Sequence, residues 1–231
     1  MLPVKNLPSP NFNSRNGAPV SLLVLHYTDT QSAQDALDIL CNKEAQVSSH
    51  YVVDFDGTVF KLVDEDDCAW HAGVSYWQGN RNVNNISVGI EIVNPGSRFG
   101  YKPFPKAQMD AVVELCSGII ARHKIKPVNV IGHSDVAPLR KIDPGELFDW
   151  KWLAGKGIGL WPEAKNDGMC YEGEKSLLVD KLVSYGYDKP VDDGALKKTI
   201  EAFQRHFRQS SVNGVWDGEC DQLLAALLAM V

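Results

Sequence analysis

Three short apolar runs, at positions 21–27, 86–93 and 128–133, most restrict how this chain can fold. Near-continuous apolar runs of this length are typical of strands buried on both faces of a sheet. The segments 32–40 and 106–123 lie between these runs and place apolar residues at helical spacing. Strands that alternate with helices predict an α/β fold in which helices flank a central β-sheet.

The Asp56-Gly57 pair separates two further strand-like segments, 50–55 and 58–63. Aspartate followed by glycine supplies the positive φ angles that a tight turn between twisted strands requires, so these segments predict a β-hairpin. A hairpin is antiparallel, whereas strands joined through helices are usually parallel. The central sheet is therefore expected to be mixed.

The composition changes after Leu153. Residues 154–173 are rich in glycine and polar residues and show no apolar period, which is typical of a linker. Three amphipathic helices are predicted beyond it, at 174–185, 193–208 and 219–230. The chain is thus expected to divide into an extension, an α/β domain, a linker and a small C-terminal three-helix domain, at 1–20, 21–153, 154–173 and 174–231.

Composition and charge exclude several classes of protein. The formal net charge is −6 and no long run of lysine or arginine occurs, so nucleic acid is not an expected partner. No run of about 18 apolar residues is present, and we expect no membrane span. The five cysteines form no Cys-x-x-Cys pair, which favours free thiols. The first twenty residues lack the apolar stretch of an export signal, which favours a cytoplasmic location for the chain as given, or the periplasm or cell envelope if a signal was removed.

Two histidines stand where predicted strands end, since His26 lies at the end of the first apolar run and His133 closes the third. Asp143 follows ten residues after His133, in a loop bounded by prolines. Two imidazoles, one carboxylate and an open position are the ligand set of a catalytic rather than a structural zinc site. Spacing alone leaves a second interpretation open, in which the histidines serve the core or the surface.

Glu91 interrupts the apolar run at 86–93. A carboxylate in such a strand is costly unless it faces a polar cavity or a partner, so Glu91 is a candidate for function. The alternative is a position on an edge face of the sheet.

Five blocks, at 23–30, 48–59, 69–73, 87–94 and 131–150, carry a family resemblance. Together, and in the family's order, they resemble the AmpD/AmiD-type N-acetylmuramoyl-L-alanine amidases, which are related to phage amidases and peptidoglycan recognition proteins. The resemblance covers residues 20–153. It implies a zinc amidase domain at 21–153 that holds one Zn²⁺ ion.

By this resemblance the metal ligands are His26, His133 and Asp143, while Glu91 and Lys141 match the catalytic glutamate and lysine. The implied reaction is hydrolysis of the amide between N-acetylmuramic acid, or its anhydro form, and L-alanine in peptidoglycan or muropeptides, for cell-wall recycling or remodelling. The alternatives are a non-catalytic peptidoglycan recognition module and a phage-type lysin. An intact ligand set favours the enzyme, which we expect to be a monomer.

Other residues of these blocks are candidates for substrate contacts. His71 and Trp70 belong to a block that borders the cleft in the family, and Trp70 is as often a packing residue. Asn94 either bonds the substrate or forms a turn before Pro95. His50 is expected to make a hydrogen bond inside the core.

Residues 176–227 resemble a peptidoglycan-binding domain of three helices, with the NGVWD turn among the matching marks. The chain departs from that pattern before its last helix, at Trp216, Gly218 and Cys220. Despite this departure, the resemblance implies a peptidoglycan-binding-like helical domain at 174–231. The alternative is that these helices pack against the catalytic domain.

Overall fold

The computed structural model describes residues 4–164, 171 and 173–231. Its strands are Val4–Asn6 (β1), Phe12–Ser14 (β2), Leu22–Tyr27 (β3), Tyr51–Val53 (β4), Val59–Lys61 (β5), Asp67–Ala69 (β6), Ser87–Ile92 (β7) and Val130–Gly132 (β8). The central feature is a six-stranded sheet with the order β1-β5-β4-β7-β3-β8, and β2 and β6 form a two-stranded sheet.

The central sheet is mixed, as predicted. Strands β4, β7, β3 and β8 run parallel to one another. Strand β5 pairs antiparallel with β4 through the turn at Gly57, whose φ is 87°. The α/β prediction and the hairpin prediction are both confirmed.

The helices surround this sheet and continue beyond it. They are Ala33–Leu40 (α1), Val83–Ile86 (α2), Gly96–Phe99 (α3), Lys106–His123 (α4), His133–Val136 (α5), Trp150–Ala154 (α6), Lys175–Tyr185 (α7), Asp193–Phe207 (α8) and Gly218–Leu228 (α9). The predicted helix at 106–123 has the expected bounds. Helix α1 begins where Ser32 caps it by accepting a hydrogen bond from the amide of Asp35.

The two faces of the sheet belong to different cores because side chains alternate along a strand. Leu23 and Leu25 of β3 pack on one face with α4. Leu22 and Val24 of the same strand pack on the other face. That second core continues into the C-terminal helices, where it contains Leu178, Leu182, Ile200, Phe203, Leu224 and Leu227. The α/β part and the three helices therefore share one hydrophobic core.

The segment before β3 also packs on the sheet. Strand β1 pairs with β5 as an edge strand, and β2 pairs with β6. Arg15 follows β2 and is buried. The domain boundaries at 20, 153 and 173 stay predictions, and most of the predicted linker, 165–170 and 172, lies outside the described residues.

Two further features concern the described residues only. None of their helices has both the length and the hydropathy needed to cross a membrane. Their four cysteines are free thiols, whereas Cys170 lies outside the described residues.

Candidate metal centre

Parallel strands bring the candidate residues to one edge of the sheet. His26 is the penultimate residue of β3, and its register partner on β7 is Glu91. His133 follows β8 directly and begins α5. Because β3 lies between β7 and β8, the carboxyl ends of all three strands meet there. This edge is where ligands usually bind in open α/β sheets.

The three predicted ligands converge on one point. His26 Nδ1 lies 2.9 Å from His133 Nδ1 and 3.1 Å from Asp143 Oδ2. His133 Nδ1 lies 3.0 Å from the same Asp143 oxygen. All three side chains are buried. Two ring nitrogens and a carboxylate oxygen this close together can hold one metal ion.

Asp143 reaches this point from a loop that is fixed at several places. Its carbonyl oxygen accepts a hydrogen bond from the amide of Ser134, in the first turn of α5. The hydroxyl of Tyr101 donates to the carbonyl of Pro144 and accepts from the amide of Leu147. These bonds hold the loop against the helix that carries His133.

The electrostatic environment sets His26 and Asp143 in the protonation states that bind metal. Burial and the neighbouring His133 lower the pKa of His26 to about 4, although Asp143 opposes them. Burial alone would raise the pKa of Asp143, but the two histidines outweigh it and lower that pKa. Neutral imidazole and ionised carboxylate are the forms that coordinate metal ions.

The second nitrogen of each histidine also has a partner. His26 Nε2 lies 3.0 Å from His71 Nδ1. His133 Nε2 lies 3.2 Å from the carbonyl oxygen of Ala72, which also accepts a hydrogen bond from Arg140. Metal-binding histidines almost always use their other nitrogen in this way. The arrangement thus fits a metal ion in both its donor atoms and its outer contacts.

Glu91 and Lys141 line a cleft of about 340 Å³ that is also lined by His133 and Asp143. Among the residues that the structure describes, nothing hydrogen-bonds to the buried Oε2 atom of Glu91. Burial and the charge of Asp143 raise the pKa of Glu91 well above its usual range, while Lys141 opposes them. A carboxylate with a raised pKa and a free oxygen is suited to exchange protons.

The residues predicted to contact substrate lie in different surroundings. Trp70 lines the cleft and donates a hydrogen bond from Nε1 to Asn13. His71 borders the cleft, but its ring contacts His26 edge-on. Asn94 is fully buried, where its amide donates to the carbonyl of Lys102 and accepts from the amide of Gly96. Such bonds belong to a turn at Pro95, which is the second of the two roles that the sequence left open for Asn94.

His50 lies deep in the core, as expected. Its Nδ1 accepts a hydrogen bond from the amide of Gly89, and its Nε2 lies 2.8 Å from Arg15. Burial, followed by the charge of Arg15, lowers the pKa of His50 to about 3.

Helix α5 is also tied to the C-terminal helices. Asp135 accepts hydrogen bonds from the hydroxyl of Tyr187 and from His206 Nδ1, both at 2.7 Å. All three side chains are buried. The helix that starts with His133 is therefore held by Tyr187 and His206 as well as by the Asp143 loop.

Sequence reasoning missed Arg140 and Ser87. Arg140 lines the cleft and donates to the carbonyl groups of Ala72 and Val74. Ser87 lies behind His71, 3.1 Å from its Nε2. Neither stands in a local pattern that indicates such contacts, because the partners are distant in sequence.

The chain is similar to known proteins over most of its length. A family model for N-acetylmuramoyl-L-alanine amidase matches residues 16–146, and the sequence resemblance is confirmed. The N-acetylmuramoyl-L-alanine amidase AmiD of Escherichia coli (strain K12) is 40% identical over 230 residues, covering 90% of this chain and 82% of the relative.

Two solved structures have the same fold. One is the complex of AmiD from E. coli with the substrate anhydro-N-acetylmuramic acid-L-Ala-D-gamma-Glu-L-Lys, at a TM-score of 0.85 and 36% identity over 95% of this chain and 98% of that chain. The other is AmpDh3 from Pseudomonas aeruginosa in complex with anhydromuramic pentapeptide, at a TM-score of 0.83 and 32% identity over 97% of this chain and 95% of that chain. The converging histidines and aspartate and the mixed sheet agree with these similarities. Because the family model matches more than half of its residues, this chain belongs to the N-acetylmuramoyl-L-alanine amidase family.

Proposed function

We propose that this protein hydrolyses the amide between the lactyl group of N-acetylmuramic acid, or its anhydro form, and L-alanine, with one Zn²⁺ ion bound by His26, His133 and Asp143. One observation carries the proposal. The carboxylate oxygen of Glu91 that has no hydrogen-bond partner among the described residues lies in the cleft lined by His133 and Asp143, and Glu91 is the register partner of His26. A proton acceptor and a metal site in one cleft are what metal-assisted amide hydrolysis requires.

The donor set favours zinc. Zinc is commonly held in catalytic sites by three protein ligands drawn from histidine and carboxylate, with one position left open. When bound, the ion lowers the pKa of a coordinated water to about 7 and so supplies a nucleophile at neutral pH. The chain's own contribution is to keep the imidazole of His26 neutral and Asp143 ionised.

Glu91 acts as the general base and then as the general acid. Its raised pKa makes the carboxyl group able both to take the proton of the attacking water and to release it again. The released proton goes to the alanine nitrogen as the amide bond breaks. The strand register serves this role because it sets Glu91 beside His26.

Lys141 supplies positive charge for the transition state. It lines the cleft two residues before Asp143, and its charge partly opposes the rise in the pKa of Glu91. As the water attacks, negative charge develops on the lactyl carbonyl oxygen. An ammonium group placed near that oxygen stabilises the charge in a site of low dielectric constant.

The substrate is a muropeptide. The AmiD and AmpDh3 structures are complexes with anhydromuramyl peptides, and this chain matches nearly the whole of both structures. Trp70 provides an aromatic wall on which a sugar or a peptide bond can pack. Trp70 is thus the favoured substrate contact among the three residues predicted for that role.

The C-terminal helices complete the catalytic domain in this proposal. Their apolar side chains share a core with Leu22 and Val24 of the sheet. This shared core supports the packing role that the sequence left open. Affinity of residues 174–231 for peptidoglycan stays a prediction.

Defined muropeptides test the function directly. The full chain with stoichiometric zinc is incubated with an anhydro-muropeptide and, in parallel, with intact sacculi, each with and without a chelator. Mass spectrometry is expected to show a peptide with an N-terminal alanine in the chelator-free reactions only, together with the free sugar from the anhydro-muropeptide or a peptide-free glycan strand from the sacculi. Intact substrate in every zinc-loaded reaction would overturn the enzymatic function and favour a recognition module.

A further inference from the structure

His26 is contacted on both of its ring nitrogens, and the two sides differ. Its Nδ1 faces His133 and Asp143, at 2.9 and 3.1 Å. Its Nε2 faces Nδ1 of His71 at 3.0 Å, with the two rings edge to face. His71 thus approaches His26 from the side away from the converging ligand atoms.

The direction of each hydrogen bond behind His26 follows from one carbonyl group. The Ser87 hydroxyl donates to the carbonyl oxygen of Val83 at 2.6 Å, and that oxygen can only accept. The hydroxyl proton is therefore used, so Ser87 Oγ accepts from His71 Nε2, which lies 3.1 Å away. The His71 ring is buried and its two nitrogens face Ser87 and His26 rather than a carboxylate, so the ring is neutral.

A neutral imidazole that donates from Nε2 must accept at Nδ1. His71 Nδ1 therefore receives the proton of His26 Nε2. His26 then carries no proton on Nδ1, and the lone pair of that atom points at His133 and Asp143. The chain of bonds from Val83 to His26 selects the tautomer that a metal ligand needs.

The fold holds His71 in this position from two directions. One face of β7 carries Ser87, Gly89 and Glu91, which are every second residue of the strand. A Cβ atom at Gly89 would lie 2.5 Å from Cγ of His71, so only glycine leaves room for the ring. The backbone amides of His71 and Ala72 both donate to the side chain of Asn84.

We propose that His71 is a positioning residue for the metal site. It fixes the tautomer and the ring orientation of His26 rather than contacting the substrate. The proposal rests on the proposed zinc function, and it assigns His71 a different role from that of Trp70. Outer-shell partners of this kind typically change metal affinity by about 10–100-fold when they are removed.

A matched pair of variants tests the proposal. In His71→Asn the amide oxygen takes the approximate place of Nδ1 and keeps the acceptor, whereas His71→Leu has a similar size and no acceptor. Zinc affinity is measured by competition with a chromophoric chelator, and kcat and KM are measured at saturating zinc. His71→Leu is expected to bind zinc about 10–100-fold more weakly. His71→Asn is expected to stay within a few-fold of the wild type, with KM unchanged in both.

Ser87→Ala provides a third variant that leaves the His71 ring in place. It removes the acceptor that selects the His71 tautomer, so a smaller loss of zinc affinity is expected than in His71→Leu. If His71→Leu does not fold by circular dichroism, the comparison of Ser87→Ala and His71→Asn with the wild type decides. Zinc affinity that is unchanged in Ser87→Ala and lost in His71→Asn would overturn the proposal.

Two other results also contradict it. Wild-type zinc affinity in His71→Leu together with a raised KM would make His71 a substrate contact. Equal losses of zinc affinity in the Leu and Asn variants would make it a packing residue. Failure of the proposed function is distinguishable, since it shows as a wild-type protein that binds no zinc, or binds zinc and leaves muropeptides intact.

Discussion

His26 and Glu91 occupy opposed positions on the parallel strands β3 and β7. This pairing joins a candidate metal ligand to a candidate proton acceptor through the backbone hydrogen bonds of the sheet. Because side chains at opposed positions leave the same face of a sheet, the two side chains are held next to each other on that face. Their spacing therefore does not depend on a mobile loop.

Replacement of Glu91 separates catalysis from metal binding. Glu91→Gln keeps the size of the side chain and removes its ability to take a proton. We expect kcat to fall about 10²–10⁴-fold, while bound zinc stays stoichiometric because Glu91 is not among the converging donors. Steady-state kinetics and elemental analysis measure the two effects. Glu65→Gln, outside the cleft, is the control with wild-type kcat, and zinc loss in Glu91→Gln would instead make Glu91 a ligand.

Zinc is expected to stabilise the folded chain. The three donors converge only in the folded state, so a ligand bound there adds to the free energy of unfolding. At free zinc 100-fold above its Kd the gain is about 2.7 kcal/mol, which a rise in Tm on zinc addition to the chelated protein would show. His133→Ala should remove that rise. An equal rise in this variant would place the bound zinc elsewhere.

The stability of the chain is expected to fall in acid through Glu65. Burial raises the pKa of this carboxyl group, but hydrogen bonds from Arg122, Tyr51 and His123 outweigh burial and lower the pKa from 4.5 to about 2. The unfolded chain then takes up a proton near pH 4.5 before the folded chain does. The contribution of Glu65 is therefore complete above that pH and is lost as the pH falls towards 2.

Denaturant titrations between pH 6 and pH 2 measure this effect. The difference in free energy of unfolding between the wild type and Glu65→Gln is expected to be largest at pH 6 and to shrink as the pH falls. A difference that stays constant over this range would mean that the four-residue cluster does not depress the pKa.

The C-terminal helices are expected to unfold together with the sheet. Leu182 is fully buried in the core that contains Leu22 and Val24. Leu182→Ala should lower the free energy of unfolding by about 2–5 kcal/mol. Unfolding should remain a single transition, in which amidase activity is lost together with the folded structure. Val191→Ala, at a position that is 86% exposed, is the control and should change stability by under about 0.5 kcal/mol. Two separate transitions would contradict the shared core.

Local patterns were sufficient to predict much of the fold. The helix at 106–123 and the hairpin at Gly57 follow from apolar spacing and turn chemistry, which act over a few residues. The positions of His26 and His133 at strand ends follow in the same way. That they meet at one point needed the family resemblance, since it depends on the order of strands in the sheet.

Contacts between distant segments could not be predicted from such patterns. Arg15 lies in a segment without periodicity, yet it reaches His50 and the carbonyl of Ser87. Arg140 supports Ala72, 68 positions away. Asn94 and Trp70 each had two interpretations, because the sequence does not show which way a side chain faces just after a strand.

The core that crosses residue 174 limits how this chain can change. A recombination event at that point would join a sheet surface built around Leu22 and Val24 to helices shaped for another partner. The hybrid would combine two halves of different cores, with voids or clashes where they meet. Substitutions in the sheet surface and in the C-terminal helices are thus expected to be inherited together. A C-terminal segment taken from another protein would also require the sheet residues that it packs against.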